Sequence, residues 1–318
     1  MRVSVARRLV AAFVLTVVSQ MAWGVTIDPS GLGPYPVGTA RRTFTKPSET
    51  TGEPRVLDTW IWYPAASGDA LTDVARGRWP LVVFSHGSCS VPFQSDFLMR
   101  ALASWGMIVA APPHPGNTTP DGAASCANLA DSFLNRVADV RFVVDQMLLE
   151  NATLGAQFTR HVHPKHLGIM GHSFGGQTAI RALAADPRFR AALAISPRPA
   201  IDLVVDRPLL VMTGALDSVT PFESDARGAF AVARGPRMLV RLPDTGHCAC
   251  IPLCLPSVCG AGCPPVGIDP PVANERVQRV VVPFAMRYVA SKGRFNRYLD
   301  PLSMPAGIEV LEWSAHRH

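Results

Sequence analysis

The sequence lacks long apolar runs, blocks of like charge and a high aromatic content. The apolar run at residues 9–18 is shorter than the roughly 18 residues that a membrane helix requires, and no later stretch approaches that length. Aromatic residues make up only 8% of the chain, and lysines and arginines are scattered along it. We therefore expect no integral membrane segment and no nucleic-acid partner.

Residues 1–24 have the composition of a signal peptide. Three arginines precede the apolar run, and Ala22-Trp23-Gly24 places small residues at the −3 and −1 positions of a cleavage site. Removal of this segment takes away three arginines and no acid, so the net charge falls from +6 to +3. We expect a secreted or periplasmic protein whose residues 25–318 form one domain.

Seven cysteines in an exported chain predict disulfides, with at least one thiol left over in a monomer. They are Cys89, Cys126, Cys248, Cys250, Cys254, Cys259 and Cys263. The last five fall in a loop at residues 248–271 and lack the paired C-x-x-C spacing of a structural zinc site, so we expect disulfides and no metal there. Their pairing stays open, and Cys89 and Cys126 are candidates to pair because their loops are expected on the same rim.

Short apolar runs alternate with helix-period segments. Residues 55–63 predict an early antiparallel strand, and six buried strands are predicted at residues 81–84, 107–111, 167–170, 192–195, 209–212 and 238–240. The clearest helix has its predicted apolar face at Leu129, Phe133, Val137, Val140, Val144 and Leu148, and others begin near Phe93, Gly176 and Val272. This alternation predicts an α/β fold with a mostly parallel central sheet and helices on both faces.

The segment Gly171-His172-Ser173-Phe174-Gly175 has the strand–turn–helix context of a nucleophile elbow. Its glycines allow a sharp turn that holds the Ser173 hydroxyl above the sheet. A serine nucleophile needs a base and an orienting acid, which follow it in the order acid, then histidine.

His247 follows the last predicted strand, whereas His316 and His318 lie in the terminal tail, so we expect His247 to be the general base. Asp217 follows the strand at 209–212 and is the expected acid. The other nearby acids are expected to be caps, turn residues or surface charges: Asp202, Asp206, Asp225 and Asp244.

The oxyanion that develops during acyl transfer needs two backbone N–H donors. Phe174 is expected to supply one, because it follows the nucleophile at the start of a helix. Ser88 is expected to supply the other, from the loop after the strand at 81–84. We expect His86, in the same loop, to be a buried structural histidine and not a second base.

Five motifs carry a resemblance to a known family: PLVVFSHG at 80–87, APPHPG at 111–116, DVRFVVD at 139–145, GHSFGG at 171–176 and PRFR at 187–190. They resemble the predicted dienelactone hydrolases, which are related to platelet-activating-factor acetylhydrolases, over residues 60–247. The resemblance implies an α/β-hydrolase fold, ester hydrolysis without a cofactor or metal, a triad of Ser173, Asp217 and His247, and oxyanion donors at Ser88 and Phe174.

Two departures from related families bear on the substrate. Dienelactone hydrolases in the strict sense use a cysteine where this chain has Ser173, so dienelactone is not the expected substrate. Polyester hydrolases and cutinases usually carry Met where this chain has Phe174, and an aromatic residue where it has Ser196-Pro197-Arg198. These differences count against a polyester substrate, but the sequence alone does not choose between small-molecule, lipid-like and polymeric esters. Only residues 197–208 are available for a cap, so we expect no large cap domain and an open cleft. The alternatives are a polyester or cutinase-like hydrolase, a lipid esterase like the acetylhydrolases, an acyltransferase or exopeptidase, and a catalytically inactive binding protein on a hydrolase scaffold.

Overall fold

The computed structural model describes residues 28–67, 71–200, 202–249, 251 and 267–315. The predicted signal peptide lies outside these residues, as does most of the cysteine-rich loop at 248–271. Both therefore stay predictions.

In the described part of the chain, nine strands form one sheet. They are β1 (Val37–Pro47), β2 (Pro54–Pro64), β3 (Trp79–Ser85), β4 (Ile108–Ala111), β5 (Val162–His172), β6 (Phe189–Ile195), β7 (Leu209–Gly214), β8 (Arg237–Leu242) and β9 (Glu309–Ser314). Their order is β1-β2-β4-β3-β5-β6-β7-β8-β9. The six central strands, from β4 to β8, are parallel, and β1, β2 and β9 are antiparallel to their neighbours. The predicted mostly parallel sheet is confirmed.

Helices cover both faces of the sheet, as predicted. They are α1 (Asp96–Ser104), α2 (Gly122–Cys126), α3 (Leu129–Ala152), α4 (Phe174–Ala185), α5 (Arg227–Phe230) and α6 (Pro270–Tyr288). Helices α3, α4 and α5 share one apolar cluster with the sheet, and α1 and α6 share the other. The central strands are almost wholly buried, because apolar side chains project from both faces of these strands and pack against the helices.

Two strands were not predicted, and both lie at an edge of the sheet. Strand β1 alternates between exposed and half-buried residues, and β9 is largely exposed. Their sequences, VGTARRTFTKP and EVLEWS, carry too few apolar residues to resemble buried strands. Edge strands need only one apolar face or none, so a search for apolar runs misses them.

The buried face of α3 differs from the predicted one. Leu129 is exposed, whereas Arg136 and Asp139 are buried. The Asp139 carboxylate accepts hydrogen bonds from Arg55 and pairs with His114, both at 2.9 Å. The helix therefore packs partly on a polar cluster, which hydrophobic periodicity cannot detect.

The connection between β6 and β7 is short, and the residues that the structure describes form no large cap over the carboxyl end of the sheet. In its described residues, 196–200 and 202–208, it contains no helix. Among all the described helices, none is long and apolar enough to span a membrane.

Candidate active site

Ser173 lies at the sharp turn between β5 and α4. Its backbone has φ 56° and ψ −119°, a left-handed conformation that a serine adopts only under strain. The Ser173 N–H donates to the Ile195 carbonyl at the end of β6, 2.8 Å away, and this bond helps to hold the turn. Backbone strain at one serine between a buried strand and a helix is the geometry that the predicted nucleophile elbow requires.

The glycines around Ser173 allow close backbone approaches. A side chain at Gly171 would overlap the Gly175 carbonyl, and one at Gly175 would overlap the Ser85 carbonyl at the end of β3. Helix α4 therefore begins in direct contact with the neighbouring strand. This contact places Ser173 beside the loop that follows β3.

Asp217 and His247 lie together at the same edge of the sheet. Asp217 follows β7, His247 follows β8, and the His247 Nδ1 is 2.8 Å from the Asp217 Oδ2. Both side chains are buried. The parallel pairing of β7 and β8 brings their carboxyl ends together, so residues 30 positions apart in sequence come into contact.

Asp217 is held as an ionised carboxylate. Its Oδ1 accepts from the N–H groups of Val219 and Thr220, at 2.9 and 2.8 Å, and its Oδ2 accepts from the Thr220 hydroxyl at 2.9 Å. Burial raises the pKa of Asp217, but the hydrogen bonds from His247 and Thr220 and the nearby imidazole outweigh it and leave the pKa below its usual value. An ionised Asp217 is the acceptor in this contact, so the Nδ1 of His247 is the donor.

His172, which sequence reasoning did not single out, supports the backbone of His247. Its Nε2 is 2.9 Å from the His247 carbonyl oxygen, and the two rings lie 4.8 Å apart. Burial, followed by the charge of His247, lowers the pKa of His172 to about 3. The ring is therefore neutral at ordinary pH and donates its Nε2 proton to that carbonyl. The sequence places His172 inside the elbow motif, but the contact joins residues 75 positions apart.

Ser88 and Phe174, the predicted oxyanion donors, both line the pocket that contains Ser173. Phe174 is the first residue of α4, so its N–H has no acceptor within the helix. His86 is fully buried, and its Nε2 accepts from the backbone N–H of His114 at 3.1 Å. The prediction that His86 is buried is confirmed.

The pocket beside Ser173 has a volume of about 610 Å³ and predominantly apolar walls. It is lined by Ser88, Leu129, Ala130, Phe133, Leu134, Ser173, Phe174, Gln177, Arg198 and Val219. Leu129 and Leu134 project from α3 and are exposed. A cavity of this size, open to solvent and close to a nucleophile, accommodates a small ligand or part of a longer one.

Cys89 and Cys126 form a disulfide, which joins the loop after β3 to α2. The suggested pairing is confirmed. Cys248 is also disulfide-bonded, and Cys250, Cys254, Cys259 and Cys263 lie outside the described residues. Within the part of the chain that the structure describes, no group of three or more His, Cys, Asp or Glu side chains has the arrangement to hold a metal ion.

Comparison with protein families identifies a related family. A family model described as PETase, PET hydrolase-like, matches residues 60–250, more than half of the 318 residues. This family is of the α/β-hydrolase type and is related to dienelactone hydrolase-like and cutinase-like esterases. No curated protein matches the chain. The narrower assignment to the predicted dienelactone hydrolases stays a prediction.

Proposed function

The chain belongs to the PET hydrolase-like family, and we propose that it is a serine hydrolase that cleaves carboxylic esters through Ser173, His247 and Asp217. The observation that carries this proposal is the Asp217–His247 contact of 2.8 Å, at the same edge of the sheet as a serine with left-handed backbone at a strand–helix turn. An ionised carboxylate that orients an imidazole, at the sheet edge where such a serine lies, provides the parts needed to activate a hydroxyl.

The proposed reaction proceeds in two steps. His247 Nε2 takes the proton from Ser173 Oγ as the oxygen attacks the ester carbonyl, and the tetrahedral oxyanion accepts hydrogen bonds from the N–H groups of Phe174 and Ser88. The protonated His247, stabilised by Asp217, then donates its proton to the departing alcohol and leaves an acyl group on Ser173. A water molecule, activated by the same imidazole, releases the acid and restores the serine.

The pocket supports esters with an apolar portion. Leu129, Phe133 and Leu134 provide an apolar wall, and no large cap covers the pocket among the described residues, which fits short-acyl, lipid-like or polymeric esters. The family match favours a polyester or related ester. Polyester hydrolases usually have an aromatic residue in the segment that follows β6, where this chain has Arg198. This difference favours smaller esters.

We further propose that the protein acts outside the cytoplasm, in the periplasm or the medium. The arginines and apolar run of residues 1–24 support export, and the disulfide between Cys89 and Cys126 is typical of an oxidising compartment.

A panel of soluble esters of increasing acyl length, run beside a polyester film, tests the proposed function. We expect ester hydrolysis by the wild type, and we expect Ser173→Ala to lower kcat by at least about 10³-fold without loss of secondary structure. Reaction of the wild type with a fluorophosphonate probe separates an enzyme from an inactive binding protein, since only an activated serine reacts rapidly. Esterase activity that survives in Ser173→Ala contradicts the proposal.

A further inference from the structure

Arg136 on α3 is a buried cation in contact with the proposed oxyanion loop. Its side chain is 1% exposed, and among the described residues no acid lies within ion-pair distance of it. Its donors instead reach His86 O at 2.7 Å, Gly87 O at 3.2 Å, Ser85 Oγ at 3.2 Å, Asn117 Oδ1 at 2.7 Å and Ser132 Oγ at 3.0 Å. The guanidinium therefore binds the loop backbone immediately before Ser88.

The contact with Gly87 constrains the next N–H group. The Gly87 carbonyl accepts from Arg136 and also pairs with His86 Nδ1 at 2.7 Å. This carbonyl belongs to the same planar peptide unit as the Ser88 N–H, and in a trans peptide the C=O and N–H point in opposite directions. Holding the Gly87 oxygen thus fixes the direction of the Ser88 N–H.

The same guanidinium also contacts the side chain of Phe174, the residue whose backbone N–H is the second proposed donor. The Arg136 Cζ lies 4.4 Å from the centre of the Phe174 ring. A planar guanidinium donates hydrogen bonds along its edge while its face packs on an aromatic ring, so both contacts form at once. Phe174 in turn stacks on Phe133, with ring centres 6.4 Å apart.

We propose that Arg136 is a positioning residue that sets the geometry of the oxyanion hole through the Gly87–Ser88 peptide and the Phe174 ring. The proposal rests on the proposed function. Burial lowers the pKa of Arg136 to about 9, which keeps the side chain protonated at neutral pH. Glutamine at this position cannot reach both carbonyls and the ring, whereas lysine keeps the charge but lacks the planar fork.

Arg181 provides a matched control. Its Cζ lies 4.4 Å from the centre of the Phe133 ring, so it contacts the same aromatic pair. Its guanidinium makes no hydrogen bond to residues 85–88 in the described structure. Arg136→Gln and Arg181→Gln therefore each remove an arginine that packs on the Phe174–Phe133 pair, but only the first releases the oxyanion loop.

The test compares kcat and KM for a short soluble ester with the affinity for a trifluoromethyl ketone, whose serine adduct carries an oxyanion. We expect Arg136→Gln to lower kcat and the ketone affinity in parallel by about 10²-fold, because removal of one oxyanion donor costs 10²–10³-fold. We expect the KM of Arg136→Gln to change less than about threefold, and we expect Arg136→Lys to lose an intermediate amount of kcat and ketone affinity. Arg181→Gln is expected to change kcat, KM and ketone affinity less than about threefold.

Circular dichroism and thermal unfolding identify the variants that fold. Equal losses in folded Arg136→Gln and Arg181→Gln overturn the inference, and so does a fall in kcat without a fall in ketone affinity. If Arg136→Gln does not fold, the same comparison is made with Arg136→Lys, and an unchanged ketone affinity overturns the inference. A wild type without Ser173-dependent esterase activity overturns the proposed function, and this inference with it.

A second, independent observation concerns Arg198, which lines the apolar pocket. Arg198 is exposed, and among the described residues it has no hydrogen-bond or ion-pair partner. It is the only charged side chain among the lining residues that the structure describes. A cation beside an otherwise apolar wall matches a ligand with an apolar segment that ends in an anion.

We infer that the pocket favours esters that carry a free carboxylate beyond an apolar segment, such as half-esters of dicarboxylic acids. This inference names a substrate class for the proposed function and rests on it. Leu129, Phe133 and Leu134 pack against the apolar segment, and Arg198 binds the carboxylate.

The test is the ratio of kcat/KM for p-nitrophenyl hydrogen adipate to kcat/KM for its methyl-capped, neutral counterpart. We expect Arg198→Gln to lower this ratio about fivefold, the effect of one ion pair at about 4 Å in water. Arg100→Gln, which removes an exposed charge on α1 at the other face of the sheet, is expected to keep the wild-type ratio. An Arg198→Gln ratio equal to the wild-type ratio overturns the inference, whereas loss of both activities in Ser173→Ala separately supports the proposed function.

Discussion

Asp217 shows how single residues define the proposed chemistry. Its carboxylate satisfies two backbone N–H groups, one hydroxyl and one imidazole, and this set of donors keeps it ionised despite burial. The two partners of His247 act on different parts of the residue. Asp217 fixes the ring tautomer, and His172 holds the backbone carbonyl.

Asp217→Asn is expected to lower kcat by about 10⁴-fold, because an amide does not hold the imidazole in the required tautomer. Asp244→Asn is the matched control, since the Asp244 side chain is half-exposed and pairs with Arg276 and not with His247. The measurement is kcat for a soluble ester in both variants. An unchanged kcat in Asp217→Asn together with a lost kcat in Asp244→Asn would show that Asp217 is not the acid of the triad.

The sequence predicted the proposed triad but not its supports. Ser173, Asp217 and His247 each follow an apolar strand in the expected order, so local patterns were sufficient to find them. Arg136 and His172 contact backbone groups 50 and 75 residues away. Such contacts depend on which strands become neighbours, and no local pattern carries that information.

At the scale of elements, the carboxyl ends of the parallel strands bring the site together, and a disulfide braces one side of it. Strand β3 leads to the Ser88 loop, β5 to Ser173, β7 to Asp217 and β8 to His247. The disulfide of Cys89 and Cys126 fastens the first of these loops to α2. The apolar central strands were predictable, whereas the polar edge strands β1 and β9 were not.

Replacement of Cys89 and Cys126 by serine together is expected to lower the free energy of unfolding by about 2–4 kcal/mol, because the cross-link no longer restricts the unfolded chain. We also expect kcat to fall, since Cys89 directly follows Ser88. Urea unfolding and ester kinetics on the same samples measure both effects. Unchanged kcat in the folded double variant would show that the disulfide does not support the oxyanion loop.

For the molecule as a whole, three buried histidines near the site link its stability to pH. Burial is the main reason why the pKa values of His86, His114 and His172 lie below the usual value for histidine. The pKa of His172 falls to about 3. A histidine has a pKa of about 6.5 in the unfolded chain, so between these values the unfolded state binds more protons than the folded state. The stability that these neutral histidines contribute is therefore fully present above pH 6.5 and is lost as the pH falls below 6.5.

We expect the free energy of unfolding to fall as the pH is lowered from 7 to 5, by about 2 kcal/mol from His172 alone. Burial raises the pKa of Asp139, which acts in the opposite direction, so the informative comparison is between the wild type and His172→Asn, which share Asp139. Urea unfolding at several pH values should give a shallower pH dependence for His172→Asn. Parallel curves would contradict the assignment of His172 as a neutral buried group.

In the proposed mechanism, Ser173 forms a covalent acyl intermediate with the help of His247 and Asp217. The most direct measurement is rapid quenching of the reaction with p-nitrophenyl acetate, followed by peptide mass spectrometry. We expect a burst of about one p-nitrophenol per chain and one acetyl group on the peptide that contains Ser173, with neither in His247→Ala. Full turnover without an adduct on Ser173, or with the acetyl group on another residue, would contradict it.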